Sequence, residues 1–307
     1  MNLNQISEFK SKNNTVQIKI ADYEICAIPT GIFGLDGGAM FGMVPKVLWE
    51  KSNPADEHNR IPMEARALLL KSKNRNILID TGNGSDFIQK YGEKLGSKFS
   101  EMYGIDPNGP TLIGSLKKQN LSPEQITDVI LTHLHFDHAG GGTCAVNNEI
   151  TATFPNAKYY LQKTNLDTAE NPNKREKSSY LSANFEPLIK SNQLQLLYGA
   201  EKNILPNISV TVSNGHTQGH QAVIIEDDST RLIYCGDVIP TSSHVRSAWI
   251  MGYDLDALKL IEEKSDLLNL SKNKKTYYYF EHDPYCDLAT VITDRDDFKV
   301  HERFNLL

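Results

Sequence analysis

The sequence predicts an α/β (α+β) protein in which two β-sheets pack against each other between outer helices, an αββα sandwich. Short apolar runs typical of strands occur in two groups along the 307-residue chain, and stretches with helical spacing accompany each group. A sheet needs a second layer to cover its apolar face, so two strand-rich halves favour two stacked sheets. The side chains best suited to chemistry come just after predicted strands, where rigid elements pass into loops.

The first group of strands surrounds a glycine-rich segment. Its predicted strands are 16–20, 23–28, 66–71, 76–79, 128–132 and 158–162. Residues 112–119 have helical spacing, and Ser122 followed by Pro123 is typical of a helix start. Residues 37–45 show neither the helical period nor the strand period of apolar residues, so we expect a long loop with Met40 and Phe41 at its tip. These two side chains either contact the substrate or pack into the core.

The second group of strands follows a polar segment, residues 164–192, which we expect to form helices over one face. Its predicted strands are 208–212, 222–226, 232–234 and 277–280. Residues 254–270 form the clearest amphipathic helix. We therefore expect residues 1–307 to be a single domain, with an N-terminal flap loop around residues 34–62 and a C-terminal extension after residue 285.

Charge and hydropathy narrow the range of partners. The formal net charge of −6 argues against nucleic acid, because phosphate binding needs a basic surface. No apolar run approaches the roughly 18 residues of a membrane-spanning helix, so no membrane partner is expected. The first residues, 1–14, lack the apolar core of a signal peptide, which predicts a cytoplasmic protein. A leader removed from a longer precursor stays an alternative.

One short run carries most of the chemistry. Three histidines and an aspartate, namely His133, His135, Asp137 and His138, fall within six residues directly after a predicted strand. Imidazole nitrogens and carboxylate oxygens suit divalent ions such as zinc. An extended segment or a tight turn can direct these donors at two neighbouring ions. The run therefore predicts a metal site, which needs further donors from elsewhere in the chain to be complete.

Those donors are found after later strands, and their order resembles a known family. His216 opens Gly-His-Thr-Gln-Gly-His, Asp237 follows a glycine, and His282 follows a tyrosine-rich strand. Together with His-x-His-x-Asp-His and an early Asp80-Thr81-Gly82 turn, this order resembles the metallo-β-lactamase superfamily over roughly residues 15–285. The resemblance implies the metallo-β-lactamase fold, two divalent metal ions per chain, zinc by default, and a hydrolase.

The resemblance also implies a role for each residue. One ion would be held by His133, His135 and His216, the other by Asp137, His138 and His282, with Asp237 bridging both. A hydroxide shared by the two ions would attack the substrate, and Asp137 would help to protonate the leaving alkoxide. Asp80 and His220 would orient ligands through hydrogen bonds.

Three segments point to a substrate class. Residues 132–141 are similar to N-acyl homoserine lactonases, and residues 37–49 and 249–254 resemble the YtnP-like quorum-quenching lactonases. This resemblance implies that the lactone ring of an N-acyl homoserine lactone is opened, and it leaves a homodimer open. Relatives like methyl-parathion hydrolase share the architecture, so phosphotriesters or aryl esters remain alternative substrates. A non-catalytic metal-binding protein is the alternative from another class.

The chain departs from the lactonase pattern at Pro240. Several lactonases carry a tyrosine three residues after the bridging aspartate, where it helps to hold the substrate carbonyl. Proline has no side-chain donor. Thr241 or His244 could take over this role, and His244 is the stronger candidate for a catalytic residue because it donates or accepts near neutral pH. A histidine with no part in the reaction is the alternative.

Overall fold

A computed structural model of the protein describes residues 3–106 and 108–307. The strands are, in chain order, β1 (Asn14–Val16), β2 (Ile18–Ile20), β3 (Tyr23–Asp36), β4 (Arg60–Lys71), β5 (Asn76–Ile79), β6 (Asp128–Ile130), β7 (Thr143–Val146), β8 (Glu149–Ala152), β9 (Lys158–Gln162), β10 (Leu194–Leu197), β11 (Glu201–Leu205), β12 (Ile208–Ser213), β13 (His220–Glu226), β14 (Thr230–Tyr234), β15 (Lys275–Tyr279), β16 (Leu288–Asp294) and β17 (Asp297–Leu306). The α-helices are α1 (Leu3–Lys10), α2 (Gly37–Phe41), α3 (Lys46–Trp49), α4 (Phe87–Tyr91), α5 (Glu93–Tyr103), α6 (Leu112–Lys118), α7 (Phe136–Ala139), α8 (Lys163–Glu170), α9 (Glu186–Lys190) and α10 (Ala257–Asn269).

The chain divides into two compact units. The first unit comprises Met1–Ile25, as far as it is described, with Gly34–Met63 and Ala200–Leu307, and the second comprises Cys26–Phe33 and Glu64–Gly199. Among the described residues, no helix is both long and apolar enough to cross a membrane.

The first unit is built on a mixed sheet with the strand order β1-β17-β16-β15-β14-β13-β12-β11. β14 and β15 pair in parallel, so their carboxyl ends meet at one edge of the sheet. Helix α10 buries Leu260, Leu267 and Leu268 in the same core as Ile233 and Tyr278 of these strands. The apolar spacing of residues 254–270 predicted this helix, and Asp256 caps its first turn by accepting from the backbone N of Lys259.

The second unit is built on a sheet in which β10, β9, β6, β5, β4 and β3 follow one another. β5, β6, β9 and β10 run parallel, and their residues are largely apolar and buried. Leu78, Val129 and Tyr159 from three of these strands share one core with Leu112 and Leu116 of α6. β6 therefore lies in the middle of a rigid sheet, and the histidine run begins three residues after its end.

Two predicted segments contain regular secondary structure. The loop expected over residues 37–45 is helical in α2, because Asp36 accepts a hydrogen bond from the backbone N of Ala39 and so caps the helix. The C-terminal extension predicted after residue 285 contains β16 and β17, where β16 pairs with β15 and β17 pairs with β16 in the sheet of the first unit. The flap, residues 34–62, thus contains α2 and α3. The expectation that residues 1–307 form a single domain stays a prediction.

Helix α10 fixes the turn that leads to His216. Its Glu263 carboxylate accepts hydrogen bonds from the backbone N of Asn214 and Gly215 and from Ser213 Oγ, at 2.6–3.0 Å. Gly215 packs so closely on the helix that a Cβ there would lie 2.5 Å from the Leu260 Cα. Only glycine leaves room for this approach.

We therefore expect Gly215→Ala to lower the free energy of unfolding by roughly 1–3 kcal/mol or more, because the helix backbone cannot yield to the new methyl group. Gly31→Ala is the matched control, because its Cβ would meet nothing closer than 3.7 Å. Urea unfolding of both variants measures the difference. Equal stability of the two variants would contradict this packing.

Candidate metal centre

In the second unit, the predicted donors His133, His135, Asp137 and His138 lie together at the end of β6, and all are buried. The ring centroids of His133 and His135 are 4.4 Å apart, and those of His133 and His138 are 4.0 Å apart. The chain is extended at His135, where it caps α7, and Asp137 and His138 lie on the first turn of that helix. This change from strand to helix brings the four side chains to one place.

Asp80 holds one end of this group in position. Its Oδ1 accepts from the backbone N of Thr132 at 2.7 Å, and its Oδ2 accepts from Thr132 Oγ1 at 2.7 Å. The same Oδ2 lies 3.0 Å from His138 Nδ1. Because the carboxylate can only accept, it favours the proton on Nδ1, so that the lone pair of His138 lies on Nε2, where it could bind a metal ion. Asp80 thus has the contacts expected of a residue that orients a ligand.

A second carboxylate, Glu176, lies beside His135 and was not predicted from the sequence. Its Oε2 is 3.8 Å from His135 Nε2, and its Oε1 accepts from Asn173 Nδ2 at 2.6 Å. The backbone N of Phe136 donates to the Ser179 carbonyl at 2.9 Å and attaches this loop to the histidine run. No local motif marks Glu176, since it stands alone in a polar segment.

In the first unit, the donors predicted at later strand ends also lie together. Asp237 Oδ2 is 3.1 Å from His216 Nε2, and Asp237 Oδ1 is 3.3 Å from His282 Nε2. His216 follows β12, Asp237 follows β14 and His282 follows β15, and all three side chains are buried. The two oxygens of one carboxylate therefore face two different histidines.

Hydrogen bonds around Asp237 and His282 fix their backbones. The backbone N of Asp237 donates to His220 Nε2 at 3.1 Å. This bond holds the backbone of Asp237 in place. The backbone N of His282 donates to the Pro240 carbonyl at 3.1 Å. Glu281, also missed in the sequence, accepts from Tyr234 Oη at 2.5 Å. Pro240 thus takes part in positioning a predicted ligand through its backbone.

The electrostatics of His216 favour a cation at its Nε2. Burial alone lowers the pKa of His216, but the carboxylates of Asp237 and Asp254 outweigh this effect and raise the pKa to about 10. A divalent ion can replace the proton at such a nitrogen. Buried imidazole and carboxylate groups occur in both units, and such groups are suited to binding metal ions.

His244 is buried, and its contacts argue against a role in holding substrate. Its Nε2 lies 2.8 Å from the Met40 carbonyl oxygen, and its Nδ1 lies 2.7 Å from Thr241 Oγ1. The ring stacks on Phe41 with centroids 4.6 Å apart. Both ring nitrogens are thus engaged within the protein, so its predicted catalytic role finds no support in these contacts.

Met40 and Phe41 are buried as well, with exposed fractions of 1% and 0%. The Phe41 ring packs against Trp49 at 5.3 Å and Trp249 at 5.7 Å. This environment corresponds to the core alternative for these residues. Their contact with substrate stays a prediction that only a bound ligand can test.

Comparisons with known proteins point to one family. A family model described as the metallo-beta-lactamase superfamily matches residues 62–282. The structure of a probable metal-dependent hydrolase from Staphylococcus aureus is 31% identical, with a TM-score of 0.81, over 93% of this chain and 99% of that one. AidC, a dizinc quorum-quenching lactonase, has a TM-score of 0.75 at 21% identity, over 94% and 97% of the two chains.

Among curated relatives, an N-acyl homoserine lactonase from a Bacillus species is 26% identical over 164 residues. The aligned part is 53% of this chain and 58% of that enzyme, so this chain spans less than two thirds of that relative's length.

The buried contacts of His244 give a testable pH dependence. Burial lowers the pKa of His244 from 6.5 to about 4. The unfolded chain therefore takes up a proton before the folded one as the pH falls, and stability is lost between about pH 6.5 and 4. For this group the loss is about 3 kcal/mol. We expect His244→Phe, measured by urea unfolding of metal-free protein, to lack this part of the decline.

At pH 7 the same variant should be less stable by roughly 1–3 kcal/mol, since the Met40 carbonyl and the Thr241 hydroxyl lose their partner. An unchanged pH dependence in His244→Phe would contradict this account. A stable variant with full metal content and a kcat/KM lowered about tenfold or more would instead support the catalytic role predicted for His244.

Proposed function

Because the chain belongs to the metallo-beta-lactamase superfamily, we propose that it is a dinuclear metal-dependent hydrolase that opens the lactone ring of N-acyl homoserine lactones. One observation carries the dinuclear part of this proposal. The two carboxylate oxygens of Asp237 face His216 and His282, at 3.1 and 3.3 Å, which is the arrangement that a bridging ligand needs. A carboxylate that served a single ion would need only one such neighbour.

The proposal assigns the predicted ligands to two ions, and the histidine-rich donor set favours zinc. In it, His133, His135 and His216 hold one ion, Asp137, His138 and His282 hold the other, and Asp237 serves both. Support comes from the burial of all seven side chains. Nitrogen and oxygen donors without cysteine suit zinc and similar divalent ions.

When bound, two such ions would lower the pKa of a water molecule toward neutrality and polarise the carbonyl that it attacks. The protein's own residues then have separate tasks. Asp80 keeps His138 in one tautomer through the 3.0 Å contact with Nδ1. Asp137 would take up the proton that the attacking water gives up and pass it to the alkoxide that leaves when the ring opens, acting first as a base and then as an acid.

Support for a lactone with an apolar acyl chain comes from curated relatives and from an aromatic cluster next to Asp137. The Phe136 ring lies 4.7 Å from Phe99 and 4.9 Å from Tyr103, which is partly exposed. Burial, followed by the charge of Asp137, raises the pKa of Tyr103 to about 12, so its phenol keeps its proton at neutral pH. Phe99 and Phe136 are themselves buried, so the cluster would meet a substrate through the partly exposed Tyr103 ring, which adds one donor group.

The same aromatic cluster also suits the aryl group of an ester or phosphotriester. This observation supports the hydrolysis of aryl esters or phosphotriesters as the second candidate function. Aromatic side chains stack on aryl rings as readily as they cover an acyl chain. The two functions differ in the bond that is broken, and substrate comparison separates them.

Metal content provides the first test. Protein purified without chelators should contain about two divalent ions per chain by elemental analysis. Asp237→Ala should reduce the content to below one, because both ions lose a ligand. Asp266→Ala, an exposed aspartate on α10, is the matched control and should keep both ions. A metal-free protein with full activity would rule out the proposed site.

Substrate preference provides the second test. The kcat/KM for N-acyl homoserine lactones of several acyl lengths should exceed that for paraoxon and for p-nitrophenyl esters by at least about tenfold. Because Asp137 is also a proposed ligand, Asp137→Asn is compared with wild type at equal metal content. It should then lower kcat for lactones while leaving a substrate with a good leaving group less affected, because such a group needs no proton. A preference for paraoxon would support the phosphotriesterase alternative, and the absence of any turnover would support the non-catalytic one.

A further inference from the structure

We propose that Asp254 is a positioning residue for the metal site, which fixes the ring and tautomer of His216. The inference rests on the proposed function, because it concerns a ligand of that site. Asp254 lies 38 residues after His216 and its side chain is fully buried. Its Oδ1 is 2.8 Å from His216 Nδ1, on the opposite side of the ring from Asp237.

Both oxygens of Asp254 have a defined partner. While Oδ1 bonds to His216, Oδ2 accepts from the backbone N of Met251 at 2.7 Å. The carboxylate is therefore held in one orientation, and it holds the imidazole in turn. Asp80 and His138 show the same arrangement in the second unit, with a carboxylate on Nδ1 and Nε2 left for coordination.

The backbone on each side of Asp254 is fastened to the segment that carries His216. The backbone N of Leu255 donates to the His216 carbonyl at 3.2 Å, and that of Asp256 donates to the Gly215 carbonyl at 2.9 Å. On the other side, the backbone N of Gly252 donates to the Ala39 carbonyl of α2 at 2.7 Å. The position of Asp254 thus depends on α2 and on the turn before His216 together.

A buried carboxylate behind a ligating histidine has two effects. It keeps the proton on Nδ1, so that the lone pair of Nε2 faces the metal, and it makes that nitrogen more basic. Removal of such a partner commonly weakens metal binding by about 10–100-fold. Because Asp254 bonds directly to His216, its effect should be largest at the ion that His216 holds.

The test compares wild-type protein with Asp254→Asn in the full-length chain. Zinc affinity is measured by competition with a chromogenic chelator, and the cobalt-substituted protein is examined by its d–d absorption. We expect one of two ions to bind about 10–100-fold more weakly, with a changed cobalt spectrum, and the other ion to bind as before. Asp266→Asn is the control and should leave both ions unaffected.

A double-mutant comparison separates positioning from a general loss of structure. In a His216→Ala background, Asp254→Asn should cause no further loss of zinc affinity, because its target is already absent. Asp254→Glu keeps the carboxylate and should retain more affinity than Asp254→Asn at equal thermal stability. Unchanged affinity and spectrum in Asp254→Asn, or an equal further loss without His216, would overturn the inference. Wild-type protein that binds no zinc would contradict the proposed function as well.

Discussion

Burial of histidines beside carboxylates is the constraint on which the rest of this structure depends. A charged group buried without a partner costs several kcal/mol, and in this chain a carboxylate lies behind two of the histidines proposed as ligands. Asp80 lies 3.0 Å from His138, and Asp254 lies 2.8 Å from His216. Such polar pairs add little to stability compared with apolar packing. Their presence in the interior of each unit is therefore best explained by function.

Strand ends provide the rigidity that these pairs require. In the second unit the central strand β6 passes almost directly into the histidine run, and in the first unit three successive proposed ligands follow β12, β14 and β15. The loops beyond are held by buried side chains, such as Lys264, whose Nζ donates to the carbonyls of His244, Arg246 and Trp249. A metal site placed on such supports needs little reorganisation when an ion binds.

The sequence predicted the metallo-β-lactamase fold, and the family match and the similar solved structures confirm it. Buried apolar strands such as Asn76–Ile79 and Lys158–Gln162 were predicted with their exact bounds, because continuous apolar runs mark them. The polar, largely exposed strand β17 was missed, since alternation is lost where neither face is fully covered. Ser122-Pro123 starts only a short 3-10 turn. Residues that act in pairs across the chain, above all Asp254, leave no local pattern, so the sequence alone could not reveal them.

The central claim is that Asp237 bridges two metal ions, and anomalous diffraction tests it most directly. Crystals of the full chain grown with zinc should give two anomalous peaks at the zinc edge, about 3.5–4 Å apart, with one oxygen of Asp237 toward each. The peak on the His216 side should also lie next to His133 and His135. A single peak, or two peaks of which neither touches Asp237, would contradict the dinuclear account.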